Sequence, residues 1–178
     1  MKRYILAGLL AAFAHPAMAD IERPWDIGGA LSSMVIGNDL PMFDDDRFSG
    51  FSMYLNYTVN RNVAFRGSFT AQSHDDVSIR SRVTEVAALL GGGFGREGWK
   101  GYVGPTLFRD NWSASGISET FTGMGLLIGG GYTWDEFAVD LFWTIRDSSD
   151  YEDFFESALG VPVDVDVTAF SFGISLRF

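Results

Sequence analysis

His74 lies between Ser73 and the pair Asp75-Asp76. Hydroxyl, imidazole and carboxylate are the parts of a nucleophilic relay. A relay needs nucleophile, base and orienting acid within mutual hydrogen-bond reach. Consecutive residues of a polar loop seldom point at one atom, so the segment reads as an ordinary loop. Gly93-x-Gly95-x-x-Gly98 has the letters of a dinucleotide fingerprint. Trp99 and a strand follow it instead of the helix that would face a phosphate, so it reads as a turn. Asp44-Asp45-Asp46 and Asp164-x-Asp166 offer hard oxygen ligands for Ca²⁺ or Mg²⁺. Neither has the twelve-residue logic of an EF-hand, and both read as solvated acidic loops. The chain has no cysteine, which removes disulfides, thiolate zinc sites and thiol nucleophiles. No catalytic residue, cofactor or metal site is expected. A formal charge of −10 argues against a nucleic-acid partner.

The elements that would position any site are strands. Lys2-Arg3, an apolar stretch Tyr4–Ala14 and Ala17-Met18-Ala19 read as a signal peptide over 1–19. The mature domain is then 20–178. Phe170, Phe172, Ile174, Leu176 and Phe178 alternate with Ala169, Ser171, Gly173, Ser175 and Arg177, a period of two. Residues 137–146, 63–71 and 51–59 repeat the pattern. Fainter strands cover 25–36, 82–94, 99–108 and 120–132, with Trp99, Val103 and Leu107 as the outer set of the third. Each strand is about ten residues, the length a tilted strand needs to cross a bilayer.

Tight connections at 60–62, 95–98 and 133–136 alternate with longer ones at 37–48, 73–79, 109–119 and 147–166. Three turns and four loops define an eight-stranded antiparallel up-and-down transmembrane β-barrel, with both termini on the short-turn side. Glycine triplets at 91–93 and 129–131 suit the sharp coiling of a small barrel. Trp25, Tyr57, Phe94, Trp99, Tyr132, Trp134, Phe137 and Phe178 fall near the short-turn ends, as an aromatic girdle. The four loops, extended by one residue at some borders, hold fifteen of the 23 acids and only Arg47, Arg80 and Arg109 as bases.

These features together resemble the small eight-stranded outer-membrane β-barrels of Gram-negative bacteria, the OmpX and OmpA transmembrane-domain type. The resemblance rests on the leader end, the eight alternating segments and the closing Phe170–Phe178. It implies an outer-membrane location among phospholipid and lipopolysaccharide. It also implies that Phe172, Ile174, Leu176 and Phe178 carry the signal read by the barrel-assembly machinery.

Two further groups of residues follow from parity and period. Arg66, Glu85, Asp140 and Arg146, with Lys100, face inward. An eight-stranded interior is just wide enough for side chains, so these charges are expected to pair as a plug. Arg80 and Arg82 fall on the outer face near the loop rim, facing lipopolysaccharide phosphates or loop acids. Tyr151, Phe154, Phe155 and Leu159 follow a helical period between Asp150 and Gly160. A short helix in the fourth loop is expected, either lidding the mouth or docking a surface protein or ligand. The role expected is non-enzymatic: an envelope-structural or surface-interaction protein displaying acidic loops. A narrow channel for small molecules is the alternative, and a lipid-A-modifying enzyme a weaker one. A soluble barrel with an apolar interior is the rival at the level of fold.

Overall fold

The computed structural model describes residues 21–39, 45–114 and 116–178. The expected signal peptide and Asp44 lie outside the described residues. Eight strands run β1 Trp25–Asn38, β2 Asp46–Asn60, β3 Val63–His74, β4 Arg80–Gly92, β5 Gly98–Ala114, β6 Ile117–Thr133, β7 Phe137–Arg146 and β8 Val165–Arg177. Each pairs antiparallel with its neighbours, and β1 pairs with β8 from Asp26↔Arg177 to Asn38↔Val165. The sheet closes into a barrel with no free edge among the described residues, as a wall in hydrocarbon requires. One helix, α1, spans Ser149–Leu159 between β7 and β8.

The burial pattern is that of a soluble barrel turned inside out. Leu31, Met124 and Leu176 are 69%, 64% and 63% exposed, while Arg66 and Asp140 are 3% and 0%. An apolar exterior of this extent belongs in hydrocarbon, not in water. This excludes the soluble rival. Trp99, Val103 and Leu107 do face outward, and Lys100 faces inward.

The strands run longer than alternation alone suggests. β5 and β6 each have 17 residues, about six more than a bilayer crossing requires. The expected loop at 109–119 is therefore paired strand, from Arg109↔Thr122 to Ala114↔Ile117. The in–out alternation continues, but the polarity of the two faces inverts partway along. Below, Leu107 and Met124 point out and Thr106 points in. Above, Phe108, Trp112 and Phe121 point in, while Arg109, Asn111 and Thr120 sit outside. That inversion marks where each strand leaves lipid. The buried Met34, Ile36, Phe48, Phe108, Trp112, Phe121, Val165 and Val167 form a water-soluble type of core above it.

The glycine triplets flank β5 at one level. Gly91 and Gly129 both oppose Tyr102, and Gly92 and Gly130 oppose Gly101. The Tyr102 ring fills the space that a side chain on Gly129 would need. The interior is thus closed by large rings lying over bare backbone.

Candidate functional site

The inward-facing charges occupy two levels. The lower one centres on Asp140. Lys100 Nζ lies 2.8 Å from its Oδ2, and Tyr102 donates its hydroxyl to Oδ1 at 2.9 Å. Arg66 Nη2 approaches Oδ1 at 3.8 Å and donates to the Tyr102 hydroxyl at 3.0 Å. Arg66 Nε donates to Asn56 Oδ1 at 2.7 Å, and Asn56 Nδ2 reaches Asp26 Oδ2 at 3.4 Å. The Arg66 guanidinium is also sandwiched by rings, 4.9 Å from Tyr54, 5.2 Å from Tyr102 and 4.4 Å from Phe142. Arg177 Nε stands 3.5 Å from Asp26 at the lower rim. Two cations against one buried carboxylate, shared with aromatic faces, give the desolvated charges partners in several directions.

The upper level joins Arg146 and Glu85. Their Nη2 and Oε2 are 3.4 Å apart, and Arg146 lies 5.1 Å over the Phe108 ring. The sequence thus identifies Arg66, Glu85, Asp140 and Arg146 as interior residues, but they form two groups instead of one network. Tyr102, Asn56 and Tyr54 complete the lower group. Their inward parity on β5 and β2 was the available signal.

Asp110 is the residue most displaced from expectation. It falls in the expected acidic loop at 109–119, yet it is fully buried inside the mouth. It accepts hydrogen bonds from Ser81 Oγ at 2.7 Å, Trp112 Nε1 at 2.8 Å and Tyr151 Oη at 3.0 Å. The Thr106, Phe108, Asp110, Trp112 alternation continues the inward set, which is why it cannot be a loop acid.

Helix α1 closes the mouth above it. Asp147 Oδ1 accepts from the Ser149 amide, and Ser148 Oγ donates to Glu152 Oε1 at 2.8 Å. Ser148 is the N-cap residue. Asp150 accepts from the Thr122 amide at 2.8 Å, tying the helix to β6. Gly160 ends the helix with φ 72°, the left-handed conformation glycine adopts at low cost. Tyr151 is completely buried, stacked 4.3 Å from Phe121 with the rings 9° from parallel. Burial, reinforced by the Asp110 carboxylate, pushes its phenol above the ordinary range. Phe154 and Phe155 are half-buried and pack on the same cluster, while Leu159 stays exposed. The apolar face therefore lids the barrel, while Leu159 and the adjoining Val161 remain open to solvent.

His74 has both ring nitrogens engaged. Nδ1 accepts from the amides of Asp76 and Val77, and Nε2 stands 2.9 Å from Asp46 Oδ1. Two donors at Nδ1 place the proton of the neutral ring on Nε2. The histidine shapes the β3–β4 loop. Gly93, Gly95 and Gly98 all have positive φ in the β4–β5 turn. Among the described residues, no three of His, Asp and Glu gather as metal ligands.

At the short-turn rim, rings form a continuous belt: Trp99–Tyr132 at 5.2 Å, Tyr132–Trp134 at 4.6 Å and Trp134–Phe137 at 4.5 Å. Trp25–Tyr57 continues it on β1 and β2 at 4.6 Å. Phe94 is not part of it. Gly93, at φ 88°, turns the chain so that Phe94 points inward and stacks on Tyr102 at 5.7 Å. Phe172, Ile174 and Leu176 of β8 and the following Phe178 all lie on the outer face, with the backbone of Phe178 paired to Trp25.

An apolar wall, a girdle at one rim and charges sealed inside are the marks of a barrel that lives in lipid. The family model described as outer membrane protein beta-barrel domain matches residues 5–178. The chain belongs to that family. No curated protein matches the sequence. Among solved structures, the outer-membrane barrel resembles Neisserial surface protein A with a TM-score of 0.62 at 14% identity, covering 87% of this chain and 97% of that one. It resembles OprG of Pseudomonas aeruginosa at 0.53 and 14%, covering 87% and 96%. It resembles Ail, the attachment invasion locus protein of Yersinia pestis, at 0.51 and 18%, covering 86% and 97%. At these identities the likeness is one of fold. The protein is a bacterial outer-membrane barrel.

Proposed function

We propose that this barrel is a closed, non-enzymatic scaffold that displays acidic loops at the cell surface, in an envelope-structural or surface-interaction role. The observation that carries the reading is the double seal. Arg66, Lys100 and Asp140 fill the waist, and Tyr151 under α1 stops the mouth. A sealed interior leaves the upper rim and the lipid-facing wall as the surfaces available for work. Asp75, Asp76, Asp153, Glu156 and Asp164 are exposed on that upper rim. Such a rim favours partners with basic surfaces, or divalent ions held diffusely. The surface-protein likenesses agree with display but assign no partner. Lipid and lipopolysaccharide surround the belt, and the assembly machinery would read Phe172, Ile174, Leu176 and Phe178.

The cysteine-free sequence allows a direct test. Single cysteines are placed at Glu156 and at Arg96, and intact cells are treated with a membrane-impermeant maleimide. Labelling of E156C and protection of R96C are expected. Labelling of R96C with protection of E156C would overturn display of the α1 rim.

A further inference from the structure

The mouth encloses a second space above the Tyr151 seal. Phe48 opposes His74 across β2 and β3, and Trp112 opposes Glu119 across β5 and β6. Residues opposed in an antiparallel pair share a face, so His74 and Glu119 point to the same side as the buried Phe48 and Trp112. Asp46, two residues before Phe48, joins them on β2. With Phe154 and Phe155 of α1 these side chains line a cavity of about 360 Å³. That volume is near the lower end for small-molecule sites, room for one ring and a short arm.

The walls are aromatic and set at steep angles. The rings of Phe48 and His74 are 5.0 Å apart at 82°, those of Trp112 and Phe154 6.3 Å at 73°, and those of Phe154 and Phe155 5.5 Å at 74°. Rings set in this way bound a space, whereas Tyr151 and Phe121 in the sealed layer below lie flat on one another. The charge on the lining has one sign. Asp46 and Glu119 are its carboxylates, and no lysine or arginine lines the cavity among the described residues. Asp46 is engaged by His74 Nε2 at 2.9 Å. The exposed Glu119 carboxylate makes no hydrogen bond or ion pair to another described residue. A neutral apolar guest would shield that carboxylate from water without giving it a partner, and an anionic guest would meet two acids. A cation gains the carboxylate and the ring faces together.

We propose that this cavity binds a small organic cation, an ammonium group carried on a single-ring apolar body. The ring lies against Phe48, Trp112 and Phe154, and the ammonium donates to Glu119 while Asp46 adds its charge. The guest sits above the Asp110–Tyr151 seal, so binding requires no passage through the barrel. The proposal deepens the display reading, because it gives the acidic rim a class of ligand. Maleimide labelling of cells tests which way the rim faces, whereas binding to purified protein does not depend on sidedness, so the two failures are distinguishable.

The test is isothermal titration calorimetry of the protein folded in a non-ionic maltoside detergent, with phenethylammonium, phenethyl alcohol and phenylacetate, each corrected for detergent alone. The wild type should bind phenethylammonium roughly tenfold more tightly than either of the others, as a hydrogen bond to a charged group provides. E119Q should lose that roughly tenfold advantage. A114F, which fills the cavity from the β5 side of its lining, should abolish binding. E156Q removes an exposed acid of α1 outside the lining and should change affinity by less than about twofold. Each variant is checked for the mobility shift of a folded barrel on boiling. Equal affinity for the three compounds, or wild-type affinity in either E119Q or A114F, would overturn the site. Equal losses in E119Q and E156Q would also overturn it, showing only diffuse attraction to an acidic rim.

Discussion

Tyr151 is the point where the lid either holds or fails. Its ring lies flat on Phe121 and beside Phe108 and Trp112, and its hydroxyl donates to Asp110. Removing the hydroxyl in Y151F leaves Asp110 with Ser81 and Trp112 as donors. The loss is one hydrogen bond to a buried acid, about 1–3 kcal/mol. Y151A also empties the ring's space, and aromatic-to-alanine changes in cores cost about 3–5 kcal/mol. The barrel ladder does not run through α1, so the cost falls on local opening of the lid and not on the barrel. Hydrogen exchange reads this directly. In Y151A, amides of 151–159 should exchange roughly 10²–10³ times faster, and in Y151F about 10–10² times faster. Amides of β3 and β4 should keep their wild-type rates. Unchanged protection of α1 in Y151A would refute the lid. Loss of protection throughout the barrel would refute the separation of lid from wall.

Three further outcomes follow from the interior and the last strand. D140N leaves Arg66 and Lys100 facing each other without an acid, and should lower the stability measured by reversible urea unfolding into bilayers by about 3–5 kcal/mol; an unchanged midpoint would remove Asp140 from the centre of the plug. G129A should destabilise by about 1–3 kcal/mol because Tyr102 occupies the space, whereas G67A, facing open lipid, should stay within about 0.5 kcal/mol in the same assay. Equal effects would mean that the rings do not pack over bare backbone. F178A removes an exposed ring whose backbone pairing persists, so folding stability should hold while the yield of assembled barrel in cells falls; equal yields would discard the assembly-signal role of Phe178.

The waist of the barrel was legible because charge and parity act together there. Arg66 and Asp140 sit on strands with clean alternation, and a charge on the inward parity of an otherwise apolar wall has nowhere else to go. Helix α1 was legible for a similar reason: the period of Tyr151, Phe154, Phe155 and Leu159 ends at a glycine able to take positive φ. Its facing was not legible, since period alone does not say which partner covers an apolar stripe. The upper barrel was misread at Asp110 for a physical reason. Above the lipid the same strand obeys the opposite rule, apolar in and polar out, so Arg109-Asp110-Asn111 looks like a loop when strands are sought by outward apolar residues. Phe94 was misassigned because nearness to a turn does not fix direction when a glycine at positive φ intervenes.

The central claim is that the interior is sealed at the waist and at the mouth. Refolded protein in a voltage-clamped planar bilayer measures it most directly. No discrete conductance steps are expected from wild type. Reproducible single-channel steps from the wild type would contradict it, and would make the Asp140 cluster a gate instead of a plug.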